Sequence, residues 1–342
     1  MRRVANPPNP WLSREVEWLE PPPPVQLEVF EEDARSILAQ NDSPDVPFRF
    51  SVNPYRGCQH ACAYCYARTT HQYLGLGAGT DFDSKIVVKR NAATLLAHEL
   101  ERKRQPIDWI AFSGVTDCYQ PLEASYQLTR KCLEVCLERN QSIGIVTKSA
   151  LVRRDAALLG QLAKRASVRV FLSIPFWDED MARAIEPWAP TPKTRLSTLR
   201  ALADAGVETG VAFAPMIPGL NDSQISSVLR AAREAGAQFA FLIPLRLAAQ
   251  VRAVFEQRLL EAYPGRAKKV LSSLAQLRSG QAVPSDFGER MRGSGPRWQA
   301  VQDLFALECR RLGLNCSVES KLRPVEPMAP QVRPSQQQQL LF

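Results

Sequence analysis

Three cysteines, Cys58, Cys62 and Cys65, stand in one short segment at Cys-x3-Cys-x2-Cys spacing. Cysteine thiolates hold iron–sulfur clusters, and a cubane normally takes four of them, so three thiolates leave one iron open to a ligand from outside the protein. A structural zinc site is the alternative. Its fourth ligand would be His60 or His71, neither of which stands at a usual zinc spacing. The spacing therefore favours a reactive iron–sulfur centre.

From residue 48 onward, strand-like apolar runs alternate with helical segments. The runs cover residues 48–54, 108–113, 142–147, 168–174, 207–214 and 238–243, and the helical segments cover residues 91–104, 122–139, 153–165, 193–205 and 222–235. Such alternation predicts βα units and a parallel sheet. Six units are too few to close an eight-stranded barrel, so we predict an α/β fold, an open (β/α)6 partial TIM barrel. The cysteines then follow its first strand, at the carboxyl end where reactive groups gather.

The chain has 342 residues, eight cysteines and a formal net charge of +8, with a pI near 9.2. No run approaches the roughly 18 apolar residues that a membrane span needs, and the N-terminus lacks the apolar core of a signal peptide. We therefore expect a cytoplasmic protein with no membrane partner, whose cysteines are reduced thiols and metal ligands. The positive charge permits a polyanionic partner.

Composition predicts four parts of the chain. Residues 1–45 are proline-rich and predict an extended lead-in, with one short helix at about residues 31–39. Residues 46–245 form the βα core. Residues 246–320 form a helical, basic extension, since 12 Lys and Arg stand against 6 Asp and Glu over residues 245–312. Residues 321–342 are rich in proline and glutamine, and we expect them to be disordered.

The cysteine motif, with the aromatic Tyr64 before its last cysteine, resembles the signature of radical S-adenosylmethionine (SAM) enzymes. The resemblance implies a [4Fe–4S] cluster held by Cys58, Cys62 and Cys65, whose open iron binds the amino and carboxylate groups of SAM. An electron from the cluster then cleaves SAM to a 5′-deoxyadenosyl radical. The resemblance also implies a reductant such as flavodoxin or ferredoxin, and it puts Tyr64 among the cofactor-binding residues.

The second predicted strand ends in the polar residues Ser113, Gly114, Thr116 and Asp117. Small residues let a ligand approach the backbone, and hydroxyl and carboxylate oxygens accept hydrogen bonds from an ammonium group. In the superfamily this place binds the methionyl amino group of SAM, so the resemblance implies the same role for these four residues. The alternative is that Thr116 or Asp117 caps a helix N-terminus.

Two further strand ends carry polar residues, Lys148 and Ser149 after the third strand and Ser173 in the fourth. The resemblance implies that they contact the ribose and carboxylate of SAM, and the alternative is that they are ordinary polar strand ends. Arg195 stands in the first turn of a predicted helix, where a cation opposes the helix dipole, so it needs an anionic partner. That partner is either Glu186 or the SAM carboxylate.

Met216 and Ile217 follow the fifth predicted strand in an apolar turn. This turn resembles the adenine-binding segment of the superfamily, in which backbone groups face the base. The resemblance therefore implies that these two residues bind SAM through their backbone.

Residues 53–58, 116–123, 147–149 and 186–187 together resemble the spore photoproduct lyase-like branch, often labelled DNA repair photolyases. The likeness covers roughly residues 46–245, with a family-like segment at residues 287–293. In the lyase a cysteine near the end of the second strand donates hydrogen. Gly114 stands at that position here and Cys118 lies four residues on, which makes Cys118 the candidate catalytic residue.

The branch implies repair or modification of DNA or RNA. A radical SAM enzyme acting on a peptide or a small molecule is one alternative, and a non-catalytic nucleic-acid-binding iron–sulfur protein is another. Arg290, Arg292 and Arg297, with Trp298 available to stack, are the candidate nucleic-acid contacts, against the alternative of a solvated charged face.

The last five residues, 338–342, resemble the bacterial sliding-clamp-binding motif. Gln338, Leu341 and Phe342 match it, while Gln339 stands where leucine is usual. A flexible tail that ends in apolar side chains suits binding to a partner surface, so we expect a sliding-clamp contact; a tail without function is the alternative.

Overall fold

The computed structural model describes residues 26–103, 105–277 and 293–317. Residues 1–25 of the predicted lead-in, the segment 287–292 with Arg290 and Arg292, and the tail with its clamp-like motif lie outside the described residues.

Within the described ranges the strands are β1 (Glu28–Glu32), β2 (Leu38–Gln40), β3 (Phe50–Val52), β4 (Tyr55–Arg56), β5 (Lys85–Lys89), β6 (Ile110–Phe112), β7 (Ile143–Thr147), β8 (Val168–Ser173), β9 (Glu208–Met216), β10 (Phe239–Pro244) and β11 (Asn315–Ser317). The α-helices there are α1 (Thr80–Ser84), α2 (Ala92–Arg102), α3 (Glu123–Tyr126), α4 (Leu128–Glu138), α5 (Ala156–Ala163), α6 (Glu179–Ile185), α7 (Pro192–Asp204), α8 (Ile225–Glu234), α9 (Ala249–Ala262), α10 (Pro264–Leu277) and α11 (Gly295–Leu312). Short 3-10 helices span Tyr66–Leu74, Ala150–Asp155 and Asp222–Gln224.

One large sheet organises the chain, with strand order β11-β10-β9-β8-β7-β6-β3-β2. Its neighbours pair in parallel except β2 and β3, which are antiparallel. The predicted strands correspond to β3 and β6 to β10, so the α/β class with a mostly parallel sheet is confirmed. In the described part of the chain the two end strands β11 and β2 do not pair with each other, and the sheet stays open.

The two faces of this sheet are covered to different extents. The helix-covered face is fully buried and belongs to the main apolar core, with side chains such as Ile145, Leu172 and Val211. The opposite face, here called the inner face, is only partly covered. Val146, in a central strand, is 38% exposed there, although parallel strands normally have both faces covered.

Strand register shows which residues share the inner face. Val146 is paired with Phe171, Phe171 with Gly210, and Gly210 with Phe239, so this row crosses β7 to β10 on one side of the sheet. The ring of Phe241 lies 4.9 Å from that of Phe171, centroid to centroid, in an edge contact. The half-buried phenylalanines and the exposed valine form an apolar surface, here called the inner wall.

The helix predicted at residues 31–39 is wrong, since that segment contains the end of β1 and the start of β2. β1 pairs in parallel with β5, which lies more than 50 residues away and also pairs with β4 in a separate three-stranded sheet. Hydrogen bonds to a distant strand outweigh a weak local helical preference, and no local pattern reveals them.

The helical segments predicted between the strands all contain helices. The segment at residues 122–139 is divided into α3 and α4 at Gln127, which has a positive φ of 54°. The segment at residues 153–165 begins within the 3-10 helix Ala150–Asp155 before α5. Among the described helices, none is long and apolar enough to cross a membrane.

The C-terminal helices pack onto the core. α11 contacts α8 and α10, and β11 extends the sheet beside β10. Trp298 is buried in the main apolar core, so the prediction that it is available to stack on a base is wrong. Arg297 donates to Asp222 Oδ2 at 2.7 Å and to Ser273 Oγ at 2.9 Å, which gives it a structural role. The predicted domain boundaries stay a prediction.

A pair of helical glycines tests the packing between helices. A Cβ on Gly160 in α5 would lie 2.4 Å from the carbonyl oxygen of Ala205, whereas a Cβ on Gly265 in α10 would meet nothing within 4 Å. Ala205 is the C-cap residue of α7, so an added Cβ would force α5 and α7 apart. We therefore expect Gly160→Ala to lower the free energy of unfolding by about 1–3 kcal/mol. Gly265→Ala is the matched control and should leave stability unchanged or raise it. Urea denaturation measures both, and equal stabilities would contradict this packing.

Candidate active site at the cysteine loop

Residues 57–65, here called the cysteine loop, follow β3 and β4 at the carboxyl edge of the sheet. Gly57 opens the loop with φ of +80°, and a Cβ there would lie 2.9 Å from His71 Cε1, so glycine is needed. Backbone hydrogen bonds from Ala61 N to Cys58 O and from Cys65 N to Cys62 O close successive turns. Cys58 and Cys62 are buried and Cys65 is half-buried. The loop therefore brings three thiols into one compact segment.

A buried arginine donates a hydrogen bond to the cysteine loop. Arg68 is fully buried; its Nε donates to Cys62 O at 3.0 Å and its Nη2 to Asp83 Oδ1 at 2.8 Å. Its Nη1 donates to the carbonyls of Ala78 and Gly79. Burial raises the pKa of Asp83 to about 6, although Arg68 acts in the opposite direction. Sequence reasoning missed Arg68, because its partners lie up to 15 residues away in an irregular segment.

The three thiols of the cysteine loop are the kind of ligand that soft metal ions prefer. Burial raises the pKa of all three thiols, that of Cys62 to about 12, so deprotonating them calls for a nearby cation. Among the described residues, no three His, Cys, Asp or Glu side chains are gathered around one point. The proposed zinc ligands have other partners: His60 Nδ1 lies 3.3 Å from Asp117 Oδ2, and His71 Nε2 lies 2.8 Å from Lys85 O.

Asp117 connects the cysteine loop to two strand ends. Besides the approach of His60, its carboxylate accepts from Thr147 Oγ1 at 2.7 Å, from the Lys148 N–H at 2.9 Å and from the Tyr119 N–H at 2.9 Å. Burial acts to raise the pKa of Asp117, but His60 and these hydrogen bonds outweigh it and lower the pKa to about 2. The ionised carboxylate therefore ties the loop to the ends of β6 and β7.

A second carboxylate is bound to the other half of the loop. Glu186, fully buried after α6, accepts a hydrogen bond from the Tyr64 hydroxyl and pairs with Arg195 Nη2 at 2.5 Å. Arg195 also donates to Ser173 O at 2.8 Å and to Pro190 O at 2.7 Å. Of the two anionic partners predicted for Arg195, the structure places Glu186 beside it.

The sequence model of the radical SAM superfamily matches residues 52–232 of this chain, which include the cysteine loop. The chain belongs to the radical SAM superfamily. An uncharacterized protein of Mycobacterium tuberculosis is 36% identical over 250 residues, which cover 72% of each chain. An uncharacterized protein of Methanocaldococcus jannaschii is 33% identical over 174 residues, covering 51% of this chain and 62% of that one.

The spore photoproduct lyase-like resemblance is confirmed at the level of fold. Spore photoproduct lyase complexed with dinucleoside spore photoproduct has a TM-score of 0.59 at 16% identity, covering 84% of this chain and 81% of that one.

In this radical SAM enzyme the polar end of β6 is tied to the cysteine loop. Ser113 has a positive φ of 75°, and its Oγ accepts from the Cys118 N–H at 3.0 Å. Gly114 O accepts from the Tyr66 hydroxyl at 2.5 Å, and Thr116 Oγ1 donates to Gly57 O at 2.5 Å. The N-cap of α3 is Leu122, so the capping alternative for Thr116 and Asp117 does not hold there. Their contact with SAM stays a prediction.

At the ends of β7 and β8, one cationic side chain lies beside the cysteine loop. Lys148 Nζ lies 5.5 Å from the centroid of the Tyr64 ring. Burial acts to lower the pKa of Lys148, but the acidic groups of Cys62 and Glu186 outweigh it and raise that pKa. Ser149 caps the 3-10 helix Ala150–Asp155 by accepting from the Leu151 N–H, and Ser173 Oγ donates to Ala214 O. Lys148 is therefore the one of these three residues whose charged group lies beside the Tyr64 ring, and the contacts of all three with SAM stay a prediction.

Met216, the last residue of β9, and Ile217, which follows it, are both buried. The Ile217 N–H donates to Asn221 Oδ1 at 2.6 Å, and Met216 O accepts from the Leu245 N–H at 2.8 Å. Both of these backbone groups thus have partners within the chain. The predicted adenine contacts, which need backbone groups, stay a prediction.

Cys118 lies in the main apolar core with no exposed surface, and burial raises its pKa. A hydrogen donor must reach a substrate radical, and a thiol without exposed surface does not do so in this conformation. The catalytic role of Cys118 stays a prediction that its burial does not favour.

The Asp117 contacts generate a stability prediction. We expect Asp117→Ala to lower the free energy of unfolding of the apoprotein by roughly 2–4 kcal/mol, because it leaves a buried hydroxyl and buried N–H groups without an acceptor. Asp178→Ala is the control, since that carboxylate caps α6 by accepting from the Met181 N–H and its loss should cost about 1 kcal/mol. Urea denaturation of the two apoproteins makes the comparison. Equal losses would mean that Asp117 does not hold the loop.

Proposed function

We propose that Cys58, Cys62 and Cys65 hold a [4Fe–4S] cluster with one open iron and that the enzyme acts on a nucleic acid. The observation that carries the proposal is the position of three thiols in one short loop at the carboxyl edge of a parallel sheet. When bound, the cluster supplies an electron to SAM, whose cleavage yields a 5′-deoxyadenosyl radical. An open iron needs a site with three protein ligands, which is what the loop offers.

In this proposal the chain's own residues bind and orient the cluster and SAM and shield them from water. Asp117 contacts the first half of the cysteine loop through His60, and Glu186 contacts the second half through Tyr64. Lys148 offers an ammonium group for the SAM carboxylate, beside the Tyr64 ring. Apolar residues of α9 and α10, such as Phe255 and Val270, share one buried cluster with Cys62 and Tyr64, and exclude water on that side. Such shielding is the protein's part in cofactor chemistry.

The inner wall supports the choice of a nucleic-acid substrate. Val146 is exposed, and Phe171 and Phe241 are only partly covered, so an apolar planar group can pack there. Lys148 follows Val146 by two residues and lies beside the cysteine loop. A nucleobase has a flat apolar face that stacks on aromatic side chains. Two further observations agree with this choice: the formal net charge of +8, and the dinucleoside bound by the structurally similar lyase.

A peptide with an aromatic side chain would also fit the inner wall. The charge favours the nucleic acid, because phosphates release counterions when cations neutralise them. A purely structural cluster in a non-catalytic protein would not need the exposed inner wall or a half-buried lysine beside the loop. A sliding-clamp contact through the tail remains a separate proposal.

Iron content tests the cluster. We expect anaerobically reconstituted protein to carry about four irons per chain and, when reduced, to convert SAM to 5′-deoxyadenosine. Cys58→Ala, Cys62→Ala and Cys65→Ala should each lose the iron, while Cys316→Ala, at an exposed cysteine outside the loop, should keep it. Metal analysis and chromatography of the products measure both results. Stoichiometric zinc without iron under these conditions would rule out the cluster.

Substitution of the inner wall tests the substrate. We expect Val146→Trp to weaken binding of single-stranded DNA by about tenfold, because it fills the surface on which a base would stack. Leu307→Trp is the control, since Leu307 is 55% exposed on α11 and has no place on the inner face. Fluorescence anisotropy at low and high salt measures the affinity. Wild-type affinity that does not fall with salt, or a Val146→Trp affinity equal to that of the control, would contradict a nucleic-acid substrate.

A further inference from the structure

Residues 185–188, here called the strap, run from the end of α6 directly along the cysteine loop. The Ala63 N–H donates to Ile185 O at 3.0 Å, and the Trp188 N–H donates to His60 O at 3.4 Å. Between these two backbone contacts, Glu186 accepts from the Tyr64 hydroxyl. Backbone hydrogen bonds on both sides of a side-chain contact hold the strap in register with the loop.

Glu186 is fixed independently of the loop. Its other oxygen pairs with Arg195, which is 1% exposed and donates to Ser173 O at the end of β8. A buried carboxylate is costly unless a charge and hydrogen bonds compensate it. The arginine compensates one oxygen, and the tyrosine hydroxyl occupies the other. A phenylalanine at position 64 would leave that second oxygen without its donor.

The ring that this contact orients faces a cation. Lys148 Nζ lies 5.5 Å from the centroid of the Tyr64 ring, a distance within the range of a cation–π contact. Tyr64 also lies between Cys62 and Cys65 in the sequence. Rotation of the Tyr64 side chain would therefore move the ring away from the ammonium group of Lys148.

We propose that Glu186 is a positioning residue that acts through the Tyr64 hydroxyl. It fixes the second half of the cysteine loop and holds the Tyr64 ring beside Lys148, where SAM would bind. The part that concerns SAM rests on the proposed function. The part that concerns the loop applies to the apoprotein as well.

The first test uses the apoprotein, with Tyr64→Phe, Glu186→Ala and the double variant. Amide hydrogen exchange at Ala63 and its neighbours should be about tenfold faster in each single variant, because the loop opens locally without its anchor. The double variant should show no further increase, since both substitutions break one linked contact.

Tyr119→Phe is the matched control. Its hydroxyl donates to the buried carboxylate of Asp155, which also pairs with an arginine, and neither belongs to the cysteine loop or the strap. This control should leave exchange in the cysteine loop at the wild-type rate. Equal exchange in wild type and Tyr64→Phe would overturn the proposal, and so would rates in the double variant that equal the product of the two single effects.

The second test uses reconstituted protein with the same variants. Electron paramagnetic resonance of the reduced cluster should show a SAM-induced change in wild type and Tyr119→Phe, and a smaller change at equal iron content in Tyr64→Phe. A full change in Tyr64→Phe would overturn the role toward SAM. If wild type binds no iron, the proposed function fails, and the exchange rates of the apoprotein still decide the role of Glu186.

Discussion

The carboxylate of Asp117 joins three parts of the chain at one point. It approaches His60 in the cysteine loop and accepts hydrogen bonds from Thr147 Oγ1 and the Lys148 N–H at the end of β7. Ionised carboxylates with several donors form strong hydrogen bonds, and the lowered pKa of Asp117 reflects them. Without this contact the first half of the cysteine loop would lose its link through His60 to the end of β7.

Buried charge recurs around the loop and follows one physical rule. Arg68, Glu186 and Arg195 are almost fully buried, and each has an oppositely charged partner. Removing one partner from such a pair costs much more than the pair itself contributes, because the remaining charge stays out of water. The loop is therefore held in one arrangement by contacts that tolerate little substitution. A site of this kind suits a superfamily whose chemistry depends on the placement of a cofactor.

The two faces of the large sheet contribute differently to stability. The helix-covered face carries the main apolar core and stabilises the fold through burial. The inner face leaves Val146 exposed and the phenylalanines of the inner wall partly covered. An uncovered apolar surface on a central strand contributes little to stability, which is the reason for the proposal that a substrate packs there.

The sequence by itself was sufficient to predict the superfamily, the α/β class and the central strands and to locate the three thiols. These features depend on local spacing and periodicity. The sequence did not reveal β1 and β2, the buried position of Trp298, or the ties from Arg68, Asp117 and Glu186 to the loop. Several of these features join residues far apart in the sequence, such as Arg68 and Asp83, 15 positions apart, and Tyr64 and Glu186, 122 positions apart. No local pattern encodes such pairs. Arg195 shows the boundary most clearly. Its place in a first helical turn predicted an anionic partner, but only packing of α7 against the end of β8 selected Glu186, since burial requires that the nearest buried charge be neutralised.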